Sequence, residues 1–182
     1  MSTFQVYTID SAPEQSKPVL RQLQEIFGFV PNIAGAMAES PVLINAFINL
    51  FQKVHSGTFT EAQIQTLLLT NAVTNACTWA VAFHTALGLQ AGLAPADVEA
   101  IRAGRAPADK EHAALSILAK TAIQKRGHLD AHDVSQFLEA GFRRDQVLEV
   151  LAVSAASTIT NYVCSITQPP LEPQFQVHAW QA

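Results

Sequence analysis

Residues 59–93 read FTEAQIQTLLLTNAVTNACTWAVAFHTALGLQAGL, and this stretch decides the fold class. Apolar residues recur in it at helical spacing, and no β-branched alternation bounded by hairpin turns interrupts them. Thr60 and Gln63 form a capping-box pair that predicts the start of a helix. About 30 helix-compatible residues follow, more than a typical globular helix contains. We therefore expect a break near residues 71–75 and a second helix with Cys77 in its first turn.

The rest of the chain has the same helical periodicity, so the sequence predicts an all-α protein. Proline or acidic residues mark the starts of the other predicted helices, and glycine residues mark their ends. These predicted helices cover residues 18–28, 33–38, 41–57, 95–104, 109–127, 130–141 and 145–166. With 182 residues in total, we expect an N-terminal segment (1–17), one helical domain (18–168) and a C-terminal tail (169–182).

The composition favours self-association and disfavours nucleic acid as a partner. Hydrophobic residues make up 49% of the chain and charged residues 14%, which leaves apolar surface beyond what one core needs. We therefore predict a homo-oligomer. A formal net charge of -4, with no run of lysine or arginine, provides no basic surface for phosphates.

Targeting signals are not evident in the sequence. The first residues, MSTFQVYTIDSAPEQSKP, lack a basic start, an apolar block and a small-residue cleavage site. Polar residues interrupt every apolar stretch before the roughly 20 residues that a membrane span requires. We therefore expect a cytoplasmic protein without a transmembrane helix.

The two cysteines, Cys77 and Cys164, are too few for a disulfide framework, and we expect both to be reduced. A bridge between them cannot be inferred from the sequence. A lone reactive thiol must borrow a second sulfur to resolve its sulfenic acid, and Cys164 is the only internal candidate. We predict that Cys164 is instead a buried packing residue, and we base no mechanism on a bridge.

The stretch NACTWAVAFH, residues 75–84, contains the strongest candidates for chemistry. Cys77 and His84 are about two helical turns apart, so both should lie on one helix face, roughly 10 Å apart along the axis. Ala80 lies between them. A thiol in the first turn of a helix feels the partial positive charge of free N–H groups, which lowers its pKa. We therefore predict that Cys77 and His84 face one shared cavity.

Each of these residues also has a purely structural interpretation. Free cysteine is among the most buried residue types and packs as a small hydrophobic residue. A single histidine on an apolar helix, such as His84, is more often a satisfied core residue than a base. Trp79 and Phe83 either line a pocket or pack in the core or a subunit interface. The residues alone leave both interpretations open.

Three segments, taken in order, carry a resemblance to a known superfamily. They are residues 27–43 (FGFVPNIAGAMAESPVL), residues 59–93, and residues 127–163 (GHLDAHDVSQFLEAGFRRDQVLEVLAVSAASTITNYV). Their order and spacing resemble the carboxymuconolactone decarboxylase and AhpD-like alkylhydroperoxidase superfamily over about residues 27–172. This resemblance implies an AhpD-like helical bundle that assembles as a dimer, trimer or hexamer.

In the peroxidase branch, one helix carries Asn-x-Cys-x-x-Cys-x-x-x-His, and the preceding helix carries a glutamate that takes part in proton transfer. Asn75, Cys77 and His84 match, and the resemblance implies Cys77 and His84 as catalytic residues. The second cysteine, which attacks the peroxide, falls on Ala80, and the glutamate falls on Gln65. An alanine is no nucleophile, and a neutral amide carries no proton away at pH 7. The resemblance implies a thiol-dependent antioxidant hydroperoxide reductase with weak or lost activity.

Three functions remain open on these residues. The first is a redox protein in which Cys77 is an oxidisable thiol and His84 an acid, base or hydrogen-bond partner. The second is a non-catalytic oligomer that binds a small apolar or acidic ligand. The third is a lactone-acid decarboxylase with Gln65, Asn75 and His84 around the substrate, although no arginine is evident there to hold a carboxylate. We expect no cofactor for any of them.

A second histidine pair has a simpler interpretation. His128 and His132 are spaced as a metal pair, but they lie at a helix start where Asp130 and Asp133 serve as caps. We therefore predict capping and no bound metal.

Overall fold

The computed structural model describes residues 4–181, and these residues form helices and no strands. The helices are α1 (Lys17–Phe27), α2 (Asn32–Met37), α3 (Pro41–His55), α4 (Glu61–Thr74), α5 (Thr78–Gln90), α6 (Pro95–Arg102), α7 (Lys110–Gln124), α8 (Ala131–Glu139) and α9 (Arg144–Thr167). A 3-10 helix, Pro173–His178, follows α9. The all-α prediction is confirmed, and the predicted helices differ from the observed ones by a few residues at their ends.

Local capping interactions explain why several helices begin where they do. Thr60 and Gln63 form the predicted reciprocal capping box at the start of α4. The Ser40 hydroxyl accepts a hydrogen bond from the backbone N–H of Leu43 in the first turn of α3. Asp130 and Asp133 form a capping box at α8, which confirms their predicted role.

The break inside the long central stretch lies at residues 75–77, at the end of the range predicted for it. Ala76 adopts a left-handed conformation, with φ of 51°, and the N–H of Cys77 donates to the Ala72 carbonyl at 2.9 Å. Cys77 itself is extended, with φ of -88° and ψ of 93°. Cys77 therefore precedes the first turn of α5 as its N-cap residue, one position earlier than predicted.

Helices α4 and α5 form the centre of the bundle. Helix α4 packs against α5, α6, α7 and α9, and α9 also packs against α2, α3 and α7. One part of the core gathers side chains from α1 to α5, and a smaller part lies between α4, α7, α8 and α9. This arrangement buries nearly the whole length of α4 and α5, including their polar residues Gln65 and His84.

The C-terminal segment is part of the fold, which differs from the predicted tail. The 3-10 helix packs against α5, and Phe175 on it is buried. Glu172 is buried just before it and accepts hydrogen bonds from the Trp79 indole N–H at 2.9 Å and the Asn32 backbone N–H at 2.6 Å. These contacts join the segment to α5 and α2.

By length and composition, α9 is the single described helix that is long and apolar enough to cross a membrane. This corrects the expectation that no stretch meets that requirement. Its serines, threonines and Asn161 lower the hydropathy less than charged residues would. Helix α9 packs against α2, α3, α4 and α7, and 39% of its apolar window is buried inside the fold.

Candidate functional site

Two cavities lie on either side of Trp79. The first, which we call the His84 cavity, has two adjoining chambers whose shared wall residues are Phe27, Phe51, Leu68, Phe83 and His84. The second, the thiol cavity, is lined by residues that include Cys77, Cys164, Gln168 and Trp180. Trp79 lies on the wall of the inner His84 chamber and on that of the thiol cavity.

Cys77 and His84 do not share a cavity, so the geometric prediction for this pair is wrong. The expected alignment assumed that Cys77 continues the helix face of His84. Because Cys77 is an extended N-cap residue, its side chain does not follow the helical periodicity of α5. Ala80 is buried in the core between the two positions, and Asn75 lies in the turn that precedes Cys77.

A chain of hydrogen bonds runs from His84 toward the surface. His84 Nδ1 lies 2.9 Å from Gln65 Oε1, and Gln65 Nε2 donates to Glu61 Oε1 at 2.6 Å. The other carboxylate oxygen of Glu61 lies 3.0 Å from His55 Nδ1. Four side chains from α3, α4 and α5 are thereby joined into one network.

The network fixes the tautomer of His84. Gln65 donates its amide N–H to a carboxylate, which accepts only, so its carbonyl oxygen must face His84. His84 therefore carries its proton on Nδ1 and a lone pair on Nε2. Burial, which penalises the imidazolium, lowers the pKa of His84 to about 3, with a smaller contribution from His55 and an opposing one from Glu61. At pH 7 the ring is neutral and its Nε2 is a hydrogen-bond acceptor.

Glu61 is the charged member of the network. The hydrogen bond from His55 lowers the pKa of Glu61, and the hydrogen bond from Gln65 adds to this effect, while partial burial opposes it. The Nε2 atom of His55 is buried without a hydrogen-bond partner among residues 4–181. Glu61 is therefore ionised at neutral pH and can hold a proton on His55 Nδ1.

Aromatic rings line the His84 cavity together with aliphatic and polar side chains. Phe83 stacks on Trp79 with ring centroids 4.8 Å apart and meets Phe27 edge-on at 5.5 Å. The outer chamber has a volume of about 770 Å³ and the inner one about 50 Å³. The volume of the outer chamber lies within the range that small-molecule pockets occupy, about 300–1,000 Å³, and the inner chamber is smaller than that range. Trp79 and Phe83 thus line a pocket as well as packing in the core.

The structure brings Cys77 and Cys164 together across α5 and α9. Both thiols are free and buried, both line the thiol cavity, and the interaction between them shifts the pKa of each. The backbone N–H of Trp79, at the N-terminus of α5, acts to lower the pKa of both thiols. Cys164 is a buried core residue, as predicted, and it also lines the same cavity as the thiol that the motif singled out.

The interaction between the thiols shifts their pKa values in opposite directions. The hydrogen bond from Cys77 lowers the pKa of Cys164, and the Trp79 N–H adds to this effect, while burial opposes it. The pKa of Cys77 is raised well above its ordinary value by that same hydrogen bond, by burial and by the charge on Cys164. The expected lowering of the Cys77 pKa is therefore wrong, although the N–H groups of Ala80 and Trp79 act in that direction.

Sequence reasoning missed His55, Glu61 and Glu172 as members of these sites. Glu61 follows the capping residue Thr60, and a carboxylate in the first turn of a helix has a common structural role in stabilising the helix start. Its position one turn before Gln65 is a signal that places both side chains on one face of α4. His55 and Glu172 lie on other elements, and no local pattern connects them to the site.

Comparison with known proteins identifies the architecture. No protein-family model matches the sequence, and no curated protein matches it. The chain superposes with a TM-score of 0.84 on a peroxidase-related protein from Ralstonia eutropha JMP134, which is described as an alkylhydroperoxidase AhpD core. The two sequences are 18% identical, and the match covers 96% of this chain and 94% of that one. The chain has the AhpD-like fold. A peroxidase-related protein from Silicibacter sp. TM1040 gives a TM-score of 0.79 at 19% identity, covering 96% and 93%.

Another protein with the AhpD-like fold is the debrominase Bmp8. A cysteine-to-alanine variant of it, in complex with 2,3,4-tribromopyrrole, superposes with a TM-score of 0.79 at 16% identity, covering 98% of this chain and 97% of that one. The resemblance inferred from the sequence motifs is therefore confirmed at the level of the fold. Proteins of this architecture include peroxidase-related proteins and a debrominase, so the fold alone does not select one reaction.

Proposed function

We propose that this protein binds a small, uncharged, planar molecule in the His84 cavity, and that hydroperoxide reduction by the route of the AhpD-like peroxidases is weak or lost. The observation that carries the binding proposal is the aromatic cavity that ends at neutral His84, with its Nδ1 held by Gln65. Ala80 and Gln65, at the positions of the attacking cysteine and the glutamate, support the loss of peroxidase chemistry.

The charge distribution argues for an uncharged ligand. Among the described residues that line the outer chamber, Glu61 is the one carboxylate, and none is a lysine or an arginine. A carboxylate ligand would enter without a cationic partner and would be repelled by Glu61. This disfavours the lactone-acid decarboxylase alternative, which needs an acidic substrate.

His84 Nε2 defines the polar group that the ligand should carry. With its lone pair on the cavity wall, this nitrogen accepts a hydrogen bond from an N–H or O–H group. A planar ring would pack against the aromatic side chains that line the outer chamber, which include Phe27, Phe51 and Phe83. The proposed ligand class is therefore an aromatic molecule with one N–H or O–H donor.

Calorimetric titration with 2,3,4-tribromopyrrole, which the debrominase variant binds, tests this proposal. We expect saturable binding, and we expect His84→Phe to weaken it by about tenfold, since a lost hydrogen bond costs about 1 kcal/mol or somewhat more. The matched control is His128→Phe, which changes an exposed histidine outside the cavity. The N-methylated pyrrole, which lacks the donor, should bind the wild type as weakly as His84→Phe binds the parent pyrrole. Equal affinities for both pyrroles would contradict the assigned role of His84.

We also propose that the protein forms a homo-oligomer through α9. Large apolar side chains at helical spacing leave one stripe of this helix exposed; they are Leu148, Leu151, Tyr162 and Ile166. Light scattering should give a mass above 19.7 kDa for the wild type and a smaller mass for Leu148→Glu combined with Ile166→Glu. Ile117→Glu, at another exposed isoleucine on α7, is the control that should leave the mass unchanged. A monomeric wild type would exclude this interface.

A further inference from the structure

The contact between Cys77 and Cys164 is independent of the His84 cavity. The two residues are far apart in sequence, yet the packing of α5 against α9 places both thiols on the wall of one cavity. Neither sulfur lines the His84 cavity, so the ligand proposed for that cavity does not explain the pair. Two thiols on one cavity wall form a disulfide when their sulfurs approach to the S–S bond length of about 2.05 Å.

We propose that Cys77 and Cys164 form a reversible dithiol–disulfide site that exchanges with low-molecular-weight disulfides entering the thiol cavity. This cavity has a volume of about 470 Å³, and both cysteines line it. Its wall combines the apolar rings of Trp79 and Trp180 with the polar side chain of Gln168. Such a lining suits a small molecule that carries both a disulfide and hydrogen-bonding groups.

Cys164 is the attacking residue of the pair. The N-terminus of α5, through the Trp79 N–H, and the S–H of Cys77 both stabilise a thiolate on Cys164. Cys164 is also less buried than Cys77, with exposed fractions of 8% and 2%. Cys77, which keeps its proton while Cys164 is charged, is the resolving residue.

The exchange proceeds in two steps. The Cys164 thiolate attacks one sulfur of the small disulfide, forming a mixed disulfide, and the other half leaves as a thiolate that takes up a proton. Cys77 then attacks the Cys164 sulfur, and the second half leaves with the proton from Cys77. The products are an internal Cys77–Cys164 disulfide and two small thiols, so the protein loses two electrons and the small disulfide gains them.

Intact-mass analysis with bis(2-hydroxyethyl) disulfide tests this site. Native protein is incubated with the reagent, quenched in acid, and alkylated with N-ethylmaleimide after unfolding. We expect the wild type to lose both alkylatable thiols without retaining an adduct, and dithiothreitol to restore both. A wild type that keeps its thiols, or that ends with stable adducts, would overturn the proposal without requiring any variant to fold.

Two serine variants test which cysteine attacks and which one resolves, and circular dichroism checks that each variant folds. Cys77→Ser should stop at a stable mixed disulfide on Cys164, because no resolving thiol remains. Cys164→Ser should react at least about tenfold more slowly, since the thiolate fraction changes tenfold per pKa unit. Equal rates for the two variants would contradict the assignment. Tribromopyrrole binding should be the same in Cys164→Ser as in the wild type, so failure of one proposal is distinguishable from failure of the other.

Discussion

Replacing Glu172 with alanine is expected to lower the free energy of unfolding by about 3 kcal/mol, because two buried donors lose a charged acceptor and each such bond contributes about 1.5–3 kcal/mol. The carboxyl group accepts from Trp79 Nε1 and from the Asn32 N–H at the start of α2. It is buried and belongs to a segment that helical periodicity alone would leave outside the domain. Urea denaturation followed by circular dichroism measures the change.

Two further variants make this result specific to the hydrogen bonds. Glu139→Ala, at an exposed position on α8, should change stability by less than about 0.5 kcal/mol. Trp79→Phe removes one of the two donors, so Glu172→Ala should cost less in that background than in the wild type. If Glu172→Ala is no more destabilising than Glu139→Ala, the C-terminal segment does not hold α5 and α2 as described.

The second large effect is a loss of stability in mild acid that originates at His84. An unfolded chain protonates this histidine below its ordinary pKa of 6.5, whereas the folded protein keeps it neutral down to about pH 3. Between these values the unfolded state binds the extra proton, so stability falls as pH falls. The contribution is about 1.4 kcal/mol per pH unit, or about 3 kcal/mol between pH 6 and pH 4.

Replacing His84 with a residue whose side chain stays neutral separates its contribution to the pH dependence of stability from that of the carboxylates. His84→Gln should lose less stability than the wild type between pH 6 and pH 4, by about that same 3 kcal/mol. His128→Gln changes an exposed histidine and should follow the wild-type curve. Coincident pH profiles for His84→Gln and the wild type would mean that His84 is not held neutral in the folded protein.

Local patterns were sufficient to predict the helices. A capping box such as Thr60 with Gln63 involves residues within one turn, so its signal is complete in the sequence. The break before α5 and the motif positions of Gln65, Ala80 and His84 are also local features that can be read from the sequence. The sequence therefore determined the all-α class, the order of the helices and the absence of the second motif cysteine.

Only the tertiary structure decided which side chains meet. The extended conformation of Cys77 turned its thiol away from the cavity of His84, and the packing of α5 on α9 gave it Cys164 as a neighbour. In the same way, α3 brought His55 to Glu61. These contacts join residues on different helices, and their formation depends on burial and helix packing rather than on any repeating local spacing. For that reason the sequence located the candidate residues, while the fold divided them between two cavities.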